Sequence, residues 1–285
     1  MPNGLYIRLT DDPNQFLFFA KPLFASDPFT CNVIAVEVEG VASGRRPLRD
    51  GSLWVMAEEE SQPVGVAMHT PPFNLFLPRL ADEVPEAIAE ALVKAGRQLP
   101  GVNGEIGTVE RFLGRWAALT ASGADLERSM RMYVLGTLTA PSGVAGEGRP
   151  ALPSEEGLVA QWLHDFHNEA DPGAPVEDFP AIAERRVAQG LVWMWQNDGQ
   201  VVSLAGMSQA AAGVARVGPV YTPPGRRGHG YGSAVTALAS QSGIDAGAIH
   251  VVLYTDLSNP TSNSIYQAIG FVQDHDSGRW SFTTA

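Results

Sequence analysis

Two short runs of residues could do chemistry. The first, residues 222–233, reads Thr-Pro-Pro-Gly-Arg-Arg-Gly-His-Gly-Tyr-Gly-Ser and follows a strand-like segment ending at Tyr221. Gly228, Gly230 and Gly232 stand at every second position, so successive backbone N–H groups can turn inward and a ligand can approach the main chain closely. A helix beginning at Tyr231 would add positive potential at its N-terminus, completing a cradle for an anion. Residues 199–244 contain no Asp or Glu, where the chain average gives about five, yet Arg216, Arg226 and Arg227 are present. A lone Gly-x-Gly-x-Gly without that charge depletion reads as a tight turn with solvated arginines. The second run, residues 259–271, sets Asn259, Ser262 and Tyr266 at i, i+3 and i+7, one stripe of a helix, beside an apolar stripe of Ile265 and Ile269. Read singly, Asn259 is an N-cap and Tyr266 a half-buried core tyrosine.

Other chemistries fit less well. A nucleotide loop of the Gly-Lys-Ser/Thr kind needs a lysine, and none occurs here. A dinucleotide fold would need its third glycine where Ser233 stands, although Asp256 ends the next strand near the expected ribose position. His164 and His167 are spaced i, i+3 without a third ligand, whereas a zinc helix pair is i, i+4, so no metal is expected. The single cysteine, Cys31, excludes an internal disulfide or a cysteine-rich metal cage and suits a reducing cytoplasm. A net charge of −12 argues against nucleic acid or an anionic membrane as the main partner. The apolar residues 16–20 follow two aspartates and break at Lys21-Pro22, which is not a signal-peptide pattern.

The elements that must position these runs can be read from periodicity and punctuation. A length of 285 residues suggests about two domains. Residues 140–153, APSGVAGEGRPALP, have linker composition, which sets a first domain at 1–140, a linker at 141–153 and a second domain at 154–285. In the second, apolar residues at helical spacing follow Ser154, and another helix is expected over 178–189. Strands over 191–196 and 200–207 are joined through Asn197-Asp198-Gly199 as a hairpin. A strand over 214–221, a helix over 231–247, a strand over 250–254, a helix opening at Asn259-Pro260 and closing at Gly270, and a final strand from Phe271 complete the order ααβββαβαβ. The first half reads as a reduced copy. Thr70-Pro-Pro recurs as Thr222-Pro-Pro at an offset of 152, which also lays a helix over 108–120 on the Pro260 helix. Gln62-Pro-Val matches Gln200-Val-Val at an offset of 138.

With these residues in view, the chain resembles the GNAT superfamily of N-acetyltransferases. That family's pyrophosphate loop, Arg/Gln-x-x-Gly-x-Gly/Ala, corresponds to Arg227-Gly-His-Gly-Tyr-Gly232. Its Asn-x-x-Ala/Ser-x-x-x-Tyr-x-x-x-Gly-Phe signature matches Asn259, Ser262, Tyr266, Gly270 and Phe271, one strand later. The resemblance covers about residue 191 onward. It implies an α/β (α+β) fold, a GNAT-like mixed central sheet flanked by helices, in two tandem copies. The first copy is degenerate: after Thr70-Pro-Pro it has no glycine loop, and Gly114 falls opposite Tyr266. The implied activity is transfer of an acetyl or other acyl group from acetyl-CoA to a primary amine of a small molecule or peptide by direct attack. The implied cofactor contacts are Val220, Tyr221, Thr222, Arg227, Gly228, His229, Gly230, Tyr231, Gly232, Ser233 and Asn259, with Tyr266 as the general acid toward the departing thiolate. For the amine's proton His167, Glu169 and Asp256 are candidates, each with a bland alternative as surface charge or loop cap, and a water relay would also serve. The competing reading is a non-catalytic acyl-CoA-binding or sensing module. Acceptor identity and a monomeric or dimeric state are left open by the sequence.

Overall fold

A computed structural model describes residues 4–283. The chain divides into two units, one formed by the described residues up to Arg131 together with those from His275 onward, the other by Met132–Asp274. Each is a mixed sheet flanked by helices, as expected.

The first unit runs β1 (Leu5–Thr10), α1 (Pro13–Ser26), α2 (Asn32–Ala42), β2 (Leu53–Glu59), β3 (Gln62–His69), β4 (Leu75–Leu77), α3 (Val84–Lys94), β5 (Gly101–Glu105) and α4 (Ile106–Thr120), then enters β6 (Gly123–Leu135). Asp12 caps α1 by accepting from the N–H groups of Asn14 and Gln15, with Pro13 pre-set at the first helical position. The amphipathic α3 and α4 bury Ile88, Leu92, Phe112 and Trp116 against Val55, Leu75, Leu77 and Val102 of the sheet. Each such side chain contributes about 1.5–3 kcal/mol relative to exposure. Cys31 is buried and unpaired, and burial, reinforced by the nearby Asp27 charge, pushes its thiol up to about 12. It is an inert core residue.

The second unit takes the end of β6 and continues through β7 (Glu147–Pro150), α5 (Glu156–Ala170), α6 (Phe179–Ala188), β8 (Val192–Asn197), β9 (Gln200–Met207), β10 (Val214–Tyr221), α7 (Tyr231–Asp245), β11 (His250–Asp256), α8 (Pro260–Ala268) and the start of β12 (Phe271–Thr283). The β8–β9 hairpin turns through Asp198 and Gly199, both at positive φ (49° and 72°), as a two-residue turn requires. On one face α7 sets Val235 and Ala239 against Ala205, Val217, Val251, Leu253 and Tyr133. On the other, α5 and α6 bury Val159, Trp162, Ala183 and Val187 against Met194 and Leu204.

The two units have the same strand plan. In the first the order is β1-β2-β3-β4-β5-β12-β6, with β4 and β5 parallel. In the second it is β7-β8-β9-β10-β11-β6-β12, with β10 and β11 parallel. Each unit therefore receives its penultimate strand from a segment that begins or ends in the other. In the first unit β12 is clasped to β6 by a two-pronged Arg131–Asp276 ion pair (2.6 and 2.8 Å) and by Arg279–Glu127 (2.8 Å).

This exchange alters the expected boundaries. Residues 141–153 belong to the second unit and do not separate two domains, while residues from His275 belong to the first. Within the expected linker, Glu147–Pro150 pairs antiparallel with β8 as an edge strand. Its glycine and proline are tolerated there because one side of an edge strand needs no partner. The tripeptide alignment also needs correction. Gln62 and Gln200 do open equivalent strands, and α4 does correspond to α8, but Thr70-Pro-Pro lies between β3 and β4 whereas Thr222-Pro-Pro follows β10. The counterpart of the glycine loop is residues 78–83. Counting seven residues from each helix cap, Asn259 leads to Tyr266 and Glu105 leads to Phe112, so Phe112 and not Gly114 stands opposite Tyr266.

Candidate active site

The site begins where β10 and β11 part. They pair in parallel from Val214↔His250 to Val217↔Leu253, and beyond that β10 continues to Tyr221 alongside β9 alone, after a bulge between Val217 and Val220. A parallel pair that splays leaves main-chain groups of one strand without a strand partner, which opens a cleft for an extended ligand. Val220 packs on the core beneath the cleft, and the buried Tyr221 lies against Trp162 at 5.9 Å. Ser203 Oγ pins the strand's end, donating to Tyr221 O at 3.0 Å and lying 2.8 Å from Thr222 Oγ1. Arg186 donates to the carbonyl of Gly218 at 3.1 Å.

From Thr222 the chain makes a short 3₁₀ turn over Pro224–Arg226 and enters α7 through Gly228 (φ 82°) and Gly230 (φ 79°), the latter at the N-cap. Both glycines occupy the left-handed region, and a Cβ on Gly230 would stand 3.0 Å from Val144. The backbone N–H groups of residues 228–233 have no partner among the described residues. The cap has no side chain to satisfy the first turn, so its N–H groups and the helix dipole are free to meet an anion. The donor set and absence of carboxylates in the loop suit a pyrophosphate. His229 is exposed and stacks on the buried Tyr231 ring at 5.4 Å, which leaves Tyr231 to contribute its main chain. Gly232 and Ser233 form the first turn behind them. Arg227 donates through Nε to Thr222 O at 2.8 Å and through Nη2 to Glu169 Oε2 at 2.7 Å, and lies over the Tyr221 ring at 6.0 Å.

On α8 the stripe is present, but its members have different tasks. Asn259 caps the helix, accepting from Ser262 N–H at 3.0 Å, so its side chain already has a structural partner. Tyr266 is half-buried, meets Phe271 edge-on at 6.2 Å and shares a hydrogen bond with the Ser262 hydroxyl. Burial pushes its phenol up to about 12, and the Ser262 bond draws it partly back. Three residues outside the sequence-read set hold this helix. Tyr133 of β6, fully buried, donates to Asn263 Oδ1 at 3.0 Å and accepts from Gln267 Nε2 at 3.2 Å, while Asn263 Nδ2 bonds the carbonyls of Asp256 and Asn259. Asn263 and Gln267 sit beside the stripe in the signature run, but nothing local to it points to Tyr133, 130 residues earlier.

The three proton-acceptor candidates are all engaged. Glu169 pairs with Arg227, Asp256 accepts from the N–H and hydroxyl of Ser258, and His167 packs on Phe179. Trp162, Trp193 and Trp195 serve the cores, and Trp195 also donates to the carbonyl of Ala145. No cluster of metal-ligating side chains occurs among the described residues. No described helix is long and apolar enough to cross a membrane.

Residues 158–271 match the model of the Acetyltransferase (GNAT) family. The fold is similar to a GNAT-family acetyltransferase from Colwellia psychrerythraea, at 13% identity over 98% of this chain and 100% of that one, with a TM-score of 0.62. It is also similar to a GCN5-related N-acetyltransferase from Sphaerobacter thermophilus (16% identity, 99% and 96% coverage, TM-score 0.62). A tandem GNAT protein from the clavulanic acid biosynthesis pathway shares the fold at 11% identity, with 98% of each chain covered and a TM-score of 0.57. No curated protein matches the sequence significantly. The splayed parallel pair, the glycine turn and the capped helix after β11 thus lie in a domain of the GNAT acetyltransferase family, a family of acyltransferases, which this chain carries at residues 158–271.

Proposed function

We propose that the second unit transfers an acetyl or similar acyl group from acetyl-CoA to a primary amine of a small molecule or peptide, in a reducing cytoplasm, and that the first unit is a degenerate copy that binds no cofactor. The observation that carries this reading is the row of N–H groups over residues 228–233, without a partner among the described residues, at the end of a strand that has left its neighbour. Those groups would hold the pyrophosphate, with Arg227 beside them, and the side of β10 that β11 has left, over Val220, Tyr221 and Thr222, would hold the pantetheine arm. Acetyl-CoA, when bound, supplies an acyl group activated as a thioester. An N–H fixed on β10 and aimed at the thioester carbonyl would stabilise the charge that develops on its oxygen, at no reorganisation cost.

Tyr266 acts at the sulfur. With its phenol near 12 and a thiol near 8.5, complete proton transfer to the leaving thiolate is uphill by roughly 5 kcal/mol. Its role is therefore a donated hydrogen bond, strengthened by the low-dielectric surroundings that raise the phenol. The acceptor amine, with pKa near 10.4, is neutral in about 1 molecule in 2,500 at pH 7, a cost of about 4.6 kcal/mol. The rate should accordingly climb with pH through the neutral range. Asn259 supports the site by starting α8, and through it Tyr266, at a fixed place after β11.

The test is thermal unfolding of the purified chain with acetyl-CoA, CoA or NAD. A ligand at 100 times its Kd stabilises by about 2.7 kcal/mol. A saturable shift with acetyl-CoA and CoA but not NAD is the expected result. No CoA-dependent shift at millimolar concentration would remove both the enzyme and the binding-module readings.

A further inference from the structure

Among the described residues, Arg227 is the one cation of the glycine loop that meets a carboxylate. Its partner comes from outside the acid-free stretch: Glu169, in the last turn of α5, lies 58 residues earlier and reaches Arg227 Nη2 at 2.7 Å. The other loop arginine, Arg226, meets the neutral side-chain oxygen of Gln200 among the described residues. The Glu169–Arg227 pair is open to solvent on both sides, with side chains 49% and 45% exposed, so holding the fold together is a poor account of it. Arg227 is already fixed without Glu169, by its Nε bond to Thr222 O and its place over Tyr221.

We propose that Glu169 sets the cofactor affinity of the loop: its carboxylate occupies the Arg227 guanidinium when no ligand is bound and must be exchanged for a phosphate oxygen when a nucleotide pyrophosphate enters. The inference rests on the function proposed above. Glu169 is an anion competing with an anion for the same guanidinium, at the cost of some affinity. Because Glu169 belongs to α5, the exchange also frees the last turn of that helix from the loop each time the cofactor binds and re-engages it on release. Charge alone drives the competition, so its size falls with added salt.

The experiment is calorimetric titration of the full chain with CoA and with pantetheine, which lacks the pyrophosphate. It uses the wild type, Glu169→Gln, Arg227→Gln and the double variant at low and high salt. Glu169→Gln should tighten CoA about 3- to 10-fold at 50 mM salt and less than about 2-fold at 500 mM. Pantetheine affinity should not move, and Glu169→Gln should have no effect once Arg227 is replaced. If Glu169→Gln leaves CoA affinity unchanged or weakens it, Glu169 is a brace for the loop and the inference is overturned. A wild-type chain that binds no CoA at all would instead overturn the function proposed above, and the inference with it.

Discussion

Residues 78–83, before α3, and residues 222–230, before α7, occupy the same place in two copies of one strand plan. Both enter their helix through a left-handed residue at the N-cap, Glu83 at φ 74° and Gly230 at φ 79°. The main-chain path has been kept and the chemistry has not. In the first unit Asp82 and Glu83 put carboxylates at the helix start, Asp82 pairs with Arg111, and the Leu80 N–H is taken by Thr108 Oγ1 at 3.0 Å. In the second unit the N–H groups of residues 228–233 have no partner among the described residues, and the acids are gone. The helices that follow the parallel strands diverge in the same way, with a buried Phe112 stacked on Trp116 where the second unit has Tyr266. If the second unit binds acetyl-CoA as proposed, a backbone of the right shape does not suffice; the loop must also shed side chains and exclude charge of one sign.

The sharpest way to break this contrast is to move the first unit's residue into the second. Gly230→Glu should cost about 1 kcal/mol of fold stability, since Glu83 already shows that a glutamate can hold this conformation. It should weaken CoA binding by about 100-fold or more in calorimetry, as a carboxylate would stand where the phosphates are expected. An affinity within a few-fold of wild type would mean that the loop is not the anion site. Tyr266→Phe copies Phe112 and should slow turnover by about 10-fold or more with CoA affinity within about twofold. With the phenol near 12, its ionisation should leave the rate undiminished up to about pH 11. A wild-type rate that falls between pH 9 and 10.5, absent in the phenylalanine variant, would assign Tyr266 an ordinary phenol instead.

Changes in the first unit should be smaller and purely structural. Glu83→Gly should raise stability to denaturant by up to about 1 kcal/mol, because glycine takes the left-handed conformation without penalty. CoA stoichiometry should stay at one per chain; two would show that Glu83 alone silences a second site. The smallest effect is expected from Asp276→Asn. The Arg131 guanidinium holds the Asp276 carboxyl below its usual range, against some opposition from burial, with the nearby His275 adding a smaller pull in the same direction. A depressed carboxylate stabilises the fold above its unfolded value near 3.9 and loses that contribution as the pH falls through its folded value. The wild type should thus exceed the variant by about 0.5–1 kcal/mol at neutral pH and converge with it in acid.

Much of the second unit was legible in its sequence because local chemistry decides it. Asp198-Gly199, Asn259-Pro260 and Gly270, at φ 102°, each fix a turn or helix end by a backbone preference that no distant contact overrides. The polar stripe of α8 and the glycine loop were legible for the same reason. What escaped was set by partners far away in the chain. Four residues with a glycine and a proline read as linker until β8 gives them an edge to pair with. The destination of β6 and β12 depends on which sheets have a gap, and no residue within either strand encodes that. Tyr133 reaches Asn263 across 130 residues, and Glu169, legible only as a proton-acceptor candidate, meets Arg227 across 58, so only folding reveals these pairings. A chance tripeptide misplaced the loop of the first unit for a related reason: sequence identity outlasts neither side-chain loss nor insertion, whereas the left-handed cap does.

The shared strands also impose an order on events at the ribosome. The first unit lacks the strand between β5 and β6 until His275 and its successors have been made, and Met132–Asp274, 143 residues, must be synthesised in between. At about 5–20 residues per second that is a wait of roughly 7–29 s with one sheet edge of β5 unpaired. The second unit meets no such delay, since its borrowed strand is made before it. Of the two halves, the one whose synthesis starts earlier is thus the one completed later.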